Sequence, residues 1–262
     1  MDSVLTGDGC RIAYRWDGPS DAPKLILSNS LGTAMAMWAP QIEALSTRFR
    51  MLRYDVRGHG LSSAPAGAYS IDRLGRDVVE MMDAFGVERA SFCGLSMGGM
   101  VGQWLGLRAP KRLDRLVLAN TSPFMGPPSA WDQRISLVLD KGMSALTDAV
   151  LERWFTPAFR DAAPDAVQPV REMLLATQPV GYAGCCAAIR DMDMTPLLGL
   201  ITVPTLVIGG TDDPATPPPH AEQLASRIPG AKLLMLSAAH LSNVEQAANF
   251  TYAVADHIGS RR

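Results

Sequence analysis

A serine set between glycines is the first feature of this sequence equipped for chemistry. In Gly94-Leu95-Ser96-Met97-Gly98-Gly99 the serine stands where a predicted strand (91–94) gives way to a predicted helix (97–109). A strand, G-x-S-x-G, helix junction places the serine on a sharp, strained turn that exposes its hydroxyl. Glycines two residues before and after leave space for strand and helix to approach each other. The Met97 amide then falls at the helix N-terminus, where an unpartnered N–H stabilises a developing oxyanion. A hydroxyl is a weak nucleophile until a base takes its proton, and the chain has four histidines. His240, in Ala238-Ala239-His240-Leu241-Ser242-Asn243, follows the last predicted strand and precedes a helix, at the same sheet edge as Ser96. His59, in Arg57-Gly58-His59-Gly60, reads as a residue shaping a loop near the site, and His220 and His257 read as surface residues. An acid to orient the imidazole is expected in the turn after the preceding strand. Gly209-Gly210-Thr211-Asp212-Asp213-Pro214 offers two aspartates. Successive residues leaving a strand point to opposite sides, so one of them faces the ring. The chain order serine, acid, histidine suits acyl transfer, and spacing alone leaves Asp212 and Asp213 both open. Activity that needs a neutral His240 is expected to fall as the solution becomes acidic.

These residues must be held by alternating elements. Strands are expected over 10–16, 24–28, 50–54, 91–94 and 113–119, with helices over 38–46, 71–85 and 97–109 between them. Such alternation implies a parallel sheet covered on both faces. From Pro123 to about Pro196 the pattern changes to helical segments separated by Pro127, Pro128, Pro157, Pro164, Pro169 and Pro179. A strand (205–210), a helix (221–227), a strand (232–236) and a helix (244–258) then resume the alternation. The expected fold class is α/β, of the α/β-hydrolase type. Its mostly parallel central sheet is flanked by helices, with the first part of the core over 1–122, a helical cap over 123–195 and the second part of the core over 196–262. A cap over the carboxyl ends of the strands would cover the place where open sheets bind ligands.

The whole chain narrows the function classes. At 262 residues with 47% hydrophobic and 19% charged content it is long and apolar enough for one large core, and disorder is not expected. Twenty-four basic residues against 26 acidic ones give a net charge of -2, which offers no attraction to nucleic acid or an anionic membrane. MDSVLTGDGC lacks the pattern of a signal peptide, and no apolar stretch approaches the ~20 residues of a membrane span. Cys10, Cys93, Cys185 and Cys186 have no zinc-site spacing and are expected as buried thiols, which fits a cytoplasmic protein.

Several segments together resemble the 3-oxoadipate enol-lactonases. They are Asn29-Ser30-Leu31-Gly32, Asp55-Val56-Arg57-Gly58-His59-Gly60-Leu61-Ser62, Phe92-Cys93-Gly94-Leu95-Ser96-Met97-Gly98-Gly99, Leu118-Ala119-Asn120-Thr121 and Gly181-Tyr182-Ala183-Gly184-Cys185-Cys186-Ala187-Ala188-Ile189-Arg190-Asp191-Met192-Asp193. The elbow and the Arg-Gly-His-Gly run are widespread among α/β-hydrolases, and the Cys-Cys-Ala-Ala-Ile-Arg-Asp run is more particular. The resemblance implies that Asp213, third after Gly210, is the acid, and that the Leu31 amide is the second oxyanion donor beside Met97. It implies hydrolysis of 3-oxoadipate enol-lactone through a serine acyl-enzyme, within bacterial catabolism of aromatic compounds, without metal or organic cofactor. The implied partner is a small anionic lactone, whose carboxylate needs a cation. Trp131 and Arg134, three residues apart on one helical face, are the first candidates to wall the ring and meet that charge, followed by Trp154 and Arg190. Arg190 neighbours Asp191 and Asp193, so an internal salt bridge is its expected role.

Other functions share this triad. Ser96 at the elbow argues against a dehalogenase or an epoxide hydrolase, which would carry aspartate there. A broad carboxylesterase, a cofactor-free haloperoxidase, a carbon–carbon bond hydrolase or a non-enzymatic small-molecule receptor would retain it. Some relatives are fused to a carboxymuconolactone decarboxylase; only residues 259–262 follow the last predicted helix, so that activity is expected to be absent.

Overall fold

The computed structural model describes residues 2–260; Arg261 and Arg262, within the short tail considered above, lie outside the described residues. Eight strands form one sheet: β1 (Asp2–Leu5), β2 (Arg11–Asp17), β3 (Lys24–Ser28), β4 (Arg50–Tyr54), β5 (Ala90–Leu95), β6 (Leu113–Ala119), β7 (Thr205–Gly210) and β8 (Lys232–Leu236). Their spatial order is β1-β2-β4-β3-β5-β6-β7-β8. Only β1 and β2 run antiparallel to their neighbours. Helices α1 (Ala39–Ser46), α2 (Ile71–Ala84) and α3 (Met97–Arg108) fall among the first six strands. Helices α4 (Pro128–Lys141), α5 (Ser144–Trp154), α6 (Pro157–Ala162), α7 (Pro164–Ala176) and α8 (Pro179–Arg190) follow β6, and α9 (Pro218–Arg227), α10 (Ser242–Glu245) and α11 (Ala247–Gly259) complete the chain.

Every residue of β5 and β7 is buried. These central strands read as unbroken apolar runs because helices cover both faces of a parallel sheet. Five strands keep the boundaries their sequence implies. β1 was not foreseen; DSVL is short and mostly exposed, and it takes its form from pairing with β2. The helix expected over 244–258 is two, because the backbone at Gln246 leaves helical geometry (φ -123, ψ 46). α9 starts at Pro218, earlier than expected, since proline is tolerated in a first turn that has no use for its N–H. Pro169, expected between helices, lies inside α7.

The chain runs from β3 outward to β4 and then returns to β5 on the other side of β3. That reversal opens a crevice at the carboxyl ends of β3 and β5, the position where doubly wound sheets bind ligands. Ser96 follows β5 and Asn29-Ser30-Leu31 follows β3. The helical segment α4–α8 leaves and rejoins the sheet layer at one place. Phe124 bridges Asp193 there, and Met194 N donates to Pro123 O at 2.8 Å. All four cysteines are buried and unpaired.

Candidate active site

β5 ends at Leu95 and α3 begins at Met97, so Ser96 alone makes the turn, with φ 57 and ψ -116. A non-glycine residue rarely holds a positive φ, and here the surroundings enforce it. Ser96 N donates to Ala119 O at 2.9 Å, and Thr121 Oγ1 donates to Ser96 O at 2.7 Å. A Cβ on Gly94 would overlap the Gly98 carbonyl, and one on Gly98 would overlap that of Ser28. The elbow glycines are therefore a steric requirement. Gly98 N also donates to Asn29 O at 3.0 Å, which docks the elbow against the turn after β3. Asn29 is itself locked, accepting from Trp38 Nε1 at 2.9 Å and donating to Tyr54 O at 2.8 Å. Among the described residues, the Leu31 and Met97 amides have no protein acceptor, the state required of oxyanion donors.

Asp213 and His240 meet as a buried pair, each 2% exposed. His240 Nδ1 lies 2.8 Å from Asp213 Oδ2. That carboxylate accepts from every neighbour that faces it: Thr216 Oγ1 at 2.7 Å, Asn120 Nδ2 at 3.0 Å, and the Ala215 and Thr216 amides at 2.8 and 2.9 Å. Burial works against its charge, but His240 beside it and these donors outweigh burial and hold its pKa at about 2. Asp212 instead is exposed and accepts from the Thr211 hydroxyl. Asn120 also donates to Ala239 O at 3.2 Å, so one side chain clamps both the acid and the histidine turn. Glu245 accepts from Ala239 N at 3.0 Å and from the Thr156 hydroxyl, tying that turn to the start of α6. Sequence reasoning missed all three: Asn120 meets Asp213 93 residues away and Glu245 meets Thr156 89 residues away, whereas Thr216 lies only three residues after Asp213, a local signal that could have found it. Among the described residues, no hydrogen bond yet joins Ser96 Oγ to His240 Nε2, a contact that commonly tightens only with substrate.

His59 shapes the turn beside the elbow. Its Nε2 accepts from Gly32 N at 2.8 Å and its Nδ1 faces Arg57 O at 3.3 Å, so the ring is neutral with its proton on Nδ1. Burial pushes its pKa down to about 4. The unfolded chain then takes up this proton near pH 6.5, before the folded one does. This contribution to stability is complete above pH 6.5 and is lost as pH falls toward 4, by roughly 3 kcal/mol across the window. Urea unfolding of the wild type and of His59→Gln at pH 7 and pH 5 should show a smaller pH-dependent loss in the variant. Equal losses would mean that the ring titrates as it does in solvent. His257, expected at the surface, is buried with Nε2 3.2 Å from Pro204 O. His220 is partly buried.

Ser96 and His240 open onto a cavity of about 240 Å³ lined by the sheet-edge turns and by α4, α5 and α8, a size suited to a small metabolite. Trp131 is buried, its indole N–H donating to Met125 O at 2.6 Å, and the Arg134 guanidinium lies over its ring at 5.4 Å. Trp154 sits with its ring centroid 6.2 Å from that of His240. Leu241 N donates to Trp154 O at 3.0 Å, which joins α5 to the histidine turn. Trp131, Arg134 and Trp154 thus all line the cavity, together with Tyr182 and Arg153, which the sequence did not single out. Arg190 does not line it; it pairs with Asp191 and Asp132, both at 2.7 Å, and not with Asp193. α8 reaches the site because Gly181 packs backbone to backbone on Gly58 and Gly184 packs on the Tyr69 ring.

Comparison with known proteins identifies the family. A family model described as the alpha/beta hydrolase fold matches residues 23–247. The chain is an α/β hydrolase. This hydrolase is 40% identical to 3-oxoadipate enol-lactonase 2 of Acinetobacter baylyi, over 96% of its own length and 94% of that protein. It is 33% identical to a putative carbamate hydrolase RutD of Stutzerimonas stutzeri, over 92% and 93% of the two chains. Among solved structures, the enol-lactonase from Burkholderia xenovorans LB400 superposes with a TM-score of 0.97 at 44% identity, covering 99% of this hydrolase and 100% of that chain. No helix among the described residues is long and apolar enough to cross a membrane.

Proposed function

We propose that this hydrolase opens 3-oxoadipate enol-lactone to 3-oxoadipate through an acyl-enzyme on Ser96, in the cytoplasm, as a step of aromatic catabolism. The observation that carries the proposal is the cavity above Ser96, where Arg134 faces in against Trp131 with no carboxylate partner among the described residues. A small lactone with a negative side arm supplies the missing charge. The enol-lactonases at 40% and 44% identity support the same substrate.

In this reading α4–α8 form the cap, and binding seats the lactone carbonyl over Ser96. His240 takes the hydroxyl proton as Oγ attacks the carbonyl carbon, with Asp213 holding the imidazole by Nδ1. The Leu31 and Met97 amides receive the oxyanion. Collapse breaks the ring C–O bond and expels an enolate, a better leaving group than a simple alkoxide, which takes the proton held by the His240 imidazolium, becomes a ketone and leaves the imidazole neutral. Water, deprotonated by His240, then attacks the acyl-enzyme, releasing the acid and restoring Ser96. Trp131 walls the ring, Trp154 packs beside the imidazole, and Arg134 holds the carboxylate.

Steady-state kinetics on the enol-lactone, p-nitrophenyl acetate and a simple carbamate test this directly. The lactone should have by far the highest kcat/KM; a preference for the carbamate would favour the function named for the 33% relative. Arg134→Met should weaken use of the anionic lactone by about 2 kcal/mol, at the lower end for loss of a charge-pair partner because the guanidinium is half-exposed. The uncharged acetate ester should be scarcely affected. Equal losses on both substrates would make Arg134 a strut of the cap.

A further inference from the structure

Arg153 has no role in the reaction proposed for Ser96, yet this exposed residue lines the same cavity as Arg134. Apart from His240 these two are the only titratable cations among the residues that line it, and no aspartate or glutamate lines it. The chain as a whole carries an excess of acids. On the surrounding helices, Asp132 pairs with Arg190 and Asp148 with Arg171. Those carboxylates are spent on other arginines, and among the described residues neither Arg134 nor Arg153 forms an ion pair. Arg153 is held at the rim, with Nη2 donating to Pro214 O at 3.2 Å in the turn that carries Asp213. A guanidinium has five N–H donors, so most of its donors remain free for a ligand.

One carboxylate on the substrate occupies one guanidinium and leaves the other unmatched. We propose that Arg153 is a second anion subsite, and that the cavity binds linear aliphatic dicarboxylates by both ends, one on Arg134 and the other on Arg153. This rests on the reading that Arg134 takes the substrate's carboxylate. Hydrolysis turns a monoanionic lactone into a dianionic open chain, so the product satisfies both arginines where the substrate satisfies one. The resting enzyme therefore retains dicarboxylates, and dicarboxylates of suitable length compete with substrate.

The test is equilibrium binding of adipate and of hexanoate at one fixed ionic strength, by calorimetry, to the wild type, Arg153→Met and Arg153→Lys. The two ligands share a six-carbon chain and differ in the second carboxylate. Adipate should bind the wild type about fivefold more tightly, as one ion pair at a solvent-touched rim provides. Arg153→Met should erase that preference by weakening adipate alone, and Arg153→Lys should keep part of it. Equal wild-type affinities, or a preference that survives Arg153→Met, would overturn the subsite. So would equal weakening of both ligands, which would assign Arg153 to bracing the Pro214 turn. Because no lactone is used, failure of lactone turnover would remove the proposed reaction and leave this result standing. Lactone turnover without an adipate preference would remove only the subsite.

Discussion

Ser96→Ala is expected to lower kcat by roughly 10⁶, and His240→Ala by about as much, because nucleophile and base act as one unit. The double variant should be scarcely worse than either single one. The structure provides the reason. Ser96 reaches the cavity only through a strained turn held by Ala119 O, Thr121 Oγ1 and the close approach of Gly94 to Gly98. No second hydroxyl occupies that turn. His240 is likewise the one histidine among the cavity-lining residues. Binding and the oxyanion amides stay in place, so a residual rate above that of water should remain. Single-turnover and steady-state rates on the lactone check the prediction. Independent, additive losses in the double variant would show that the two groups do not share a step.

Asp213→Asn should lower kcat by roughly 10⁴, whereas Asp212→Asn should have little effect. Five donors surround the Asp213 carboxylate: His240 Nδ1–H, Asn120 Nδ2, Thr216 Oγ1 and the amides of Ala215 and Thr216. An asparagine amide cannot enter this cradle without setting its own NH2 against a donor. Facing the ring, it forces the imidazole into the other tautomer and removes the base from Ser96. Facing the Ala215 and Thr216 amides, it leaves buried N–H groups unmatched, at about 1–3 kcal/mol of stability. Kinetics and thermal unfolding of both variants should therefore show losses in activity and stability for Asp213→Asn alone. If Asp212→Asn were the more damaging in a folded enzyme, Asp213 would not be the orienting acid.

Part of this enzyme was legible before any coordinates. Apolar runs bounded by turn residues mark β3, β4, β6 and β7 inside the sheet and β8 at its edge, so these five announce their own boundaries. The elbow is a local pattern in the sequence, although Gly94 alone answers to a neighbour in it, Gly98, while Gly98 answers to Ser28 and Gly99 to Thr121. Local signals failed where form depends on a distant partner. β1 exists because β2 pairs with it, and His257, expected at the surface near the end of the terminal helix, is buried with its Nε2 against Pro204 O.

The sequence by itself determined the parallel sheet, the nucleophile turn and the identity of the histidine that follows the last strand. Each is signalled by periodicity or by a short run of residue types, which a chain displays in its order. Only the tertiary structure decided what surrounds them. It set Asp213, which spacing alone had left open beside Asp212 and family resemblance favoured, against the ring, enclosed that carboxylate in donors from three separate segments, and made His59 the acceptor that positions the turn bearing Leu31. It brought α8 down onto Gly58, added Asp132 to the adjacent Asp191 as a partner of Arg190, and left Arg134 and Arg153 lining the cavity without acids. Pairing such as that of Arg190 with Asp132, 58 residues away, is settled by which side chains the fold brings together, and no local pattern encodes that meeting.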